Sequence, residues 1–145
     1  MTAAAASSLE AAPLPRVGRV RILIVDDERS FTTALRRVLG RVHDVTVAAD
    51  GQEALDLIDA GQRFDVIFSD VTMPRMTGHE LLDRLVTKDP EMAHHFVFLS
   101  GGGSPARLPA RLRALGTREL EKPTDIQALR EVIREIASEP APSKP

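Results

Sequence analysis

The chain has no cysteine, no tryptophan and no tyrosine. Without cysteine, disulfides and thiolate metal sites are excluded, and a reducing cytoplasm is the expected compartment. Without Trp or Tyr, stacking on bases or sugars has little to work with. An excess of charge is missing too. Nineteen Lys and Arg stand against 21 Asp and Glu, a formal net charge of -2, so neither nucleic acid nor a membrane surface is an expected partner. No run approaches the roughly 18 apolar residues of a membrane span, so no membrane insertion is expected. The start, MTAAAASSLEAAPLP, lacks the basic head and Leu/Val-rich stretch of a signal peptide and is interrupted by Glu10.

What is present is 145 residues, 43% of them hydrophobic, enough for one domain with a sizeable core. The Ala-, Ser- and Pro-rich ends, residues 1–18 and 138–145, read as flexible tails around a folded segment 19–137. Within it, short apolar runs alternate with amphipathic stretches. RVRILIVDDE and FDVIFSD read as strands buried on both faces, with DVTVAAD, HFVFLSGGG and the charged TRELEKP as three more. SFTTALRRVLGR places Phe31, Ala34, Leu35, Val38 and Leu39 at helical spacing, with Gly40 near its end. GQEALDLIDAG carries Ala54, Leu55 and Ile58 on one face, and HELLDRLVTKDP is a third helix closed by Pro90. PARLPARLRALG is a weaker helix that starts or bends at Pro109, which cannot sit in a regular helix interior. TDIQALREVIREIA is the last, with Thr124 as its expected N-cap.

Five such β-α units predict an α/β fold. The expected form is a flavodoxin-like (βα)5 doubly wound parallel sheet with strand order 2-1-3-4-5, right-handed crossovers and the charged fifth strand at an edge. In that order the first and third strands are neighbours, and ligands sit beyond their carboxyl ends. Those ends carry Asp26 and Asp27 on the first strand and Asp70 on the third. Each residue has a bland explanation: a strand-end aspartate often starts a turn, an acid pair can be solvated loop, and a lysine can be surface. Convergence of three carboxylates, however, calls for a cation, and Mg2+ takes oxygen ligands of this kind. Ser100 ends the fourth strand with a hydroxyl and Lys122 ends the fifth with a cation. A carboxylate nucleophile, a metal site, a hydroxyl and a lysine are what phosphoryl transfer to aspartate requires. Gly101 and the glycines after it let the backbone lie close to a phosphoryl group.

With these residues in place, the chain resembles the receiver domain of two-component signalling, over about Val20 to Ala137. ILIVDDE is similar to the family's first strand and acid pair, DVIFSDVTMPRMTG to its phosphoacceptor strand and loop, VFLSG to its Ser/Thr strand, and LEKP to its lysine-proline turn. The resemblance implies that Asp70 is phosphorylated and that Asp27, Asp70 and the Thr72 carbonyl bind Mg2+ directly. It implies that Asp26 acts mostly through water, that Ser100 bonds a phosphoryl oxygen and that Lys122 pairs with the phosphoryl group. It further implies a histidine kinase or a histidine phosphotransfer protein as donor. The protein would then phosphorylate and dephosphorylate itself rather than turn over a substrate.

Glu119 stands where many receivers carry an aromatic three residues before the lysine, so the common output switch is not expected. VFLSGG with LEKP is more like receivers of hybrid sensor histidine kinases than those of DNA-binding regulators, and either a stand-alone regulator or part of such a kinase fits. Two other classes fit these residues less well. A haloacid-dehalogenase-type phosphatase needs a second aspartate two residues after the nucleophile, where this chain has Thr72. A pseudo-receiver, acting as a phosphorylation-independent interaction module, would usually have lost an acid or the lysine, and all are retained. Oligomeric state is left open by the sequence.

Overall fold

A computed structural model describes residues 19–101, 110, 114–115, 117–122 and 125–138. In chain order these form β1 (Arg21–Val25), α1 (Arg29–Leu39), β2 (Asp44–Ala48), α2 (Gly51–Asp59), β3 (Val66–Asp70), α3 (Gly78–Lys88), α4 (Pro90–Ala93), β4 (Phe96–Gly101), β5 (Arg118–Lys122) and α5 (Ile126–Ser138). All five strands are parallel, in the order β2-β1-β3-β4-β5. This is the expected 2-1-3-4-5 arrangement, with the charged β5 at an edge.

The apolar runs became central strands because both faces of the sheet are covered. On one face Leu23, Val25, Ile67, Phe96 and Phe98 meet Ala54 and Leu55 of α2 and Leu81, Leu82 and Leu85 of α3. On the other, Ile22, Ile24, Val66, Phe68, Val97 and Leu99 meet Leu35 and Leu39 of α1 and Leu129, Val132, Ile133 and Ile136 of α5. The register brings the carboxyl ends level: Val25 pairs with Ser69, Asp70 with Leu99 and Gly101 with Lys122.

Two local expectations change. Ala34 is exposed, and Thr32 takes a place in the buried stripe of α1 with Leu35 and Leu39. Burial of that hydroxyl is tolerable because Thr32 Oγ1 donates to the Arg29 carbonyl at 3.1 Å. Pro90 does follow the end of α3, but it also opens the single turn α4, whose N-cap Asp89 accepts from the Met92 N–H. The last helix is capped by Asp125, whose carboxylate accepts from the Ala128 N–H at 2.8 Å. Thr124, the expected cap, lies outside the described residues. So does most of the helix expected over 105–116, including Pro109. Within it, Ala114 donates to the Ala110 carbonyl at 3.1 Å.

Candidate functional site

β1 ends where its backbone leaves the ladder: the Asp26 N–H donates to the Ala48 carbonyl of β2. This puts Asp26 on the crevice floor, its side chain fully buried. Asp27 follows on the exposed rim, and Asp70 comes from the neighbouring β3, half-buried. One carboxylate oxygen from each lies within 4.8 Å of the others. Lys122 enters from β5. Its Nζ donates to Asp26 Oδ2 at 2.6 Å and stands 3.8 Å from Asp70 Oδ2 and 4.0 Å from Glu28 Oε1. The ammonium also sits 4.7 Å from the centre of the Phe31 ring, a cation–π contact. Asp26 Oδ1 accepts from the Glu28 N–H at 2.9 Å, so both oxygens of this buried carboxylate are engaged.

The charges perturb one another. Burial pushes the Asp70 carboxyl above its usual range, and the negative charge of Asp26 adds to this. Lys122 and the backbone N–H groups of Val71 and Thr72 oppose the rise without cancelling it. For Lys122, burial pulls the ammonium down, but its hydrogen bond to Asp26 and the charges of Asp26, Asp70 and Glu28 outweigh this, and the net direction is up.

The structure thus brings four of the sequence-identified side chains together: Asp26, Asp27, Asp70 and Lys122. Ser100 is the penultimate residue of β4, which runs on to Gly101, and lies one residue beyond the Asp70–Leu99 pair. Among the described residues, no hydrogen bond joins its hydroxyl to the three carboxylates or to Lys122. Thr72 lies exposed in the loop after β3, and Glu119 is exposed on β5.

That loop turns sharply for a steric reason. A Cβ on Gly78 would collide with the Asp70 carbonyl oxygen, so the first turn of α3 lies directly against the end of β3. The Gly78 N–H donates to the Val71 carbonyl at 2.8 Å, and the buried Ser69 hydroxyl donates to the Asp70 carbonyl at 2.9 Å. A capping box starts α3: Thr77 Oγ1 accepts from the Glu80 N–H and Glu80 Oε1 from the Thr77 N–H. The T-x-x-E spacing in TGHE was the signal for it. The roles of Glu28 and the Phe31 ring had no signal in the sequence, because each depends on Lys122 arriving from β5; the Ser69 bond is local, to the next residue of its own strand, but no spacing marks it.

Fold and site together define an open α/β domain with an acidic, cation-ready crevice at the switch point and a lysine beside it. Comparison with known proteins makes this specific. The response regulator receiver domain family matches residues 22–134, most of the chain, and the protein belongs to that family. It is 35% identical over 131 residues to response regulator MprA of Mycobacterium sp. (strain KMS), covering 87% of this chain and 56% of that protein. It is 31% identical to the virulence sensor protein BvgS of Bordetella bronchiseptica, covering 97% of this chain but 12% of the sensor. The chain therefore spans about half the length of one relative and a small part of the other. Among solved structures, the receiver domain of the Francisella response regulator 1452 superposes with a TM-score of 0.69 at 27% identity, over 82% of this chain and 97% of that one.

Proposed function

We propose that this receiver domain accepts a phosphoryl group on Asp70 from the phosphohistidine of a histidine kinase or phosphotransfer protein, in the cytoplasm. The carrying observation is the gathering of three carboxylates and Lys122 at the ends of β1, β3 and β5. In the step, an Asp70 carboxylate oxygen forms a bond to phosphorus as the P–N bond to the donor imidazole breaks. Asp70 attacks as the carboxylate, so its raised pKa makes the reaction slower at acid pH. Lys122 lies close enough to Asp70 to meet the new phosphoryl oxygens once it releases Asp26. Ser100, one residue beyond the partner of Asp70 on the next strand, supplies the hydroxyl.

The donor set fits a hard divalent cation. It is all oxygen, with Asp27 on the rim and Asp70 half-buried. Asp27, Asp70 and the Thr72 carbonyl would hold Mg2+, and Asp26, whose oxygens already have partners, would reach it through water. When bound, the ion offsets negative charge on the transferring group. Retention of every acid and of the lysine disfavours a phosphorylation-independent interaction module. The test is intact mass after incubation with acetyl phosphate and Mg2+: one phosphoryl group should be added to the parent and none to Asp70→Asn. Equal labelling of the two would overturn the assignment.

A further inference from the structure

Among the strand ends, that of β2 is the one with no part in this chemistry, yet the segment after it ends in Asp50. This residue is buried and caps α2, its Oδ1 accepting from the Glu53 N–H at 2.9 Å. Its other oxygen faces the loop that follows Asp70. Arg75, 25 residues on, places Nε at 3.0 Å and Nη2 at 2.5 Å from Asp50 Oδ2. To do so, Arg75 holds φ at 69°, a left-handed backbone that residues with a side chain rarely adopt. Next to it the Met76 N–H donates to the Pro74 carbonyl at 2.7 Å, closing a tight turn. The Met76 side chain lies on the bare face of Gly51, where an added Cβ would come within 3.0 Å of it. The far end of the loop is tied by the bond from Gly78 to Val71.

We infer that Asp50 and Arg75 form a latch that positions the phosphoacceptor loop, a role that rests on the phosphoacceptor reading above. An exposed arginine in a strained backbone conformation would not be held there by its own hydration. The buried carboxylate of Asp50 holds it, and the loop between Asp70 and Arg75 then carries the Thr72 carbonyl at a fixed height over the crevice. Neither residue touches the phosphoryl group or the ion; both are positioning residues. The charge is essential, because the cap bond needs one Asp50 oxygen and leaves the other for the guanidinium.

The test uses the full chain and Mg2+ alone as the first probe. Calorimetric titration gives the Mg2+ dissociation constant, and intact mass against time with acetyl phosphate gives the phosphorylation rate. Arg75→Gly removes the guanidinium and tolerates the positive φ; Asp50→Asn keeps a cap acceptor and removes the charge. Each should weaken Mg2+ binding and slow phosphorylation by about fivefold, the size one partly buried ion pair supports. The double variant should be no worse than either single, since both break the same contact. Arg75→Lys should recover most of the loss. Parent-like Mg2+ affinity and rate in both single variants would overturn the latch, as would losses that add in the double variant or no recovery with lysine. A parent that gains no phosphoryl group would instead sink the phosphoacceptor reading, and the Mg2+ titrations would still decide the latch.

Discussion

Replacing Asp70 by asparagine removes one negative charge from the crevice and keeps the side chain's shape. Three charged neighbours and the burial of the carboxylate together set the sign of the effect. At an effective dielectric of about 20, Asp26 at the 4.8 Å limit repels Asp70 by about 3.5 kcal/mol, while Lys122 at 3.8 Å attracts it by about 4.4 kcal/mol. Asp27 lies in water and adds only about 1 kcal/mol of repulsion. Those pairwise terms nearly cancel, which leaves the loss of hydration of a half-buried carboxylate as the deciding contribution. It raises the Asp70 pKa in the folded protein. A carboxyl with a raised folded-state pKa binds more protons folded than unfolded, so stability falls as pH rises. The penalty is absent below the ordinary carboxylate range, grows as pH rises toward the raised value, and is complete above it. Asp70→Asn should therefore stabilise the protein at pH 7 in chelator by about 1 kcal/mol, or about 3–5 °C in Tm for a chain of this size. The assay is thermal unfolding of both proteins from pH 7 down to the acid range, without divalent cation. The gain should close as Asp70 of the parent protonates. A variant that melts at or below the parent at pH 7 would refute the balance of charges drawn here, as would a gain that persists at acid pH.

Mg2+ should relieve the same repulsion in the parent. At 100 times its dissociation constant it stabilises by about 2.7 kcal/mol, and Asp27→Ala should remove most of that gain while keeping the fold, as read by Tm with and without the ion. A Tm indifferent to Mg2+ in the parent would exclude the site. Lys122→Ala should cost about 3–5 kcal/mol in urea unfolding, because Asp26 is left buried with no cation among the described residues; a loss under 1 kcal/mol would show that Asp26 has another compensating partner. Gly78→Ala places a methyl against the Asp70 carbonyl and should cost about 1–3 kcal/mol and slow phosphorylation as the end of β3 shifts. Unchanged stability and rate in that variant would show that the turn has slack.

Much of the fold was legible along the chain because its signals are local. A parallel strand buried on both faces needs an apolar run, and ILIV and VIF are such runs, the first stopped by Asp26 and the second by Ser69 and Asp70. Strand ends at one edge of a parallel sheet share a crevice whatever the details of packing, so Asp26, Asp27, Asp70 and Lys122 could be grouped from alternation alone. Periodicity failed where a neighbour rather than a pattern chose the buried residue. Thr32 is inside and Ala34 outside because the buried stripe of α1 runs through Thr32, Leu35 and Leu39, and the Thr32 hydroxyl satisfies itself on its own helix. The Asp125 carboxylate at the start of the last helix accepts from the Ala128 N–H, a contact set by the backbone angles at one junction. Contacts between residues distant in sequence were out of reach altogether. Lys122 rests on Asp26 across 96 residues, and Arg75 on Asp50 across 25. Nothing in the spacing of either pair marks it, since each distance is set by how the junctions of non-adjacent strands come together once both faces of the sheet are covered. Local sequence can place a charged group at the end of its strand; only the packed sheet decides which opposite charge stands within reach of it.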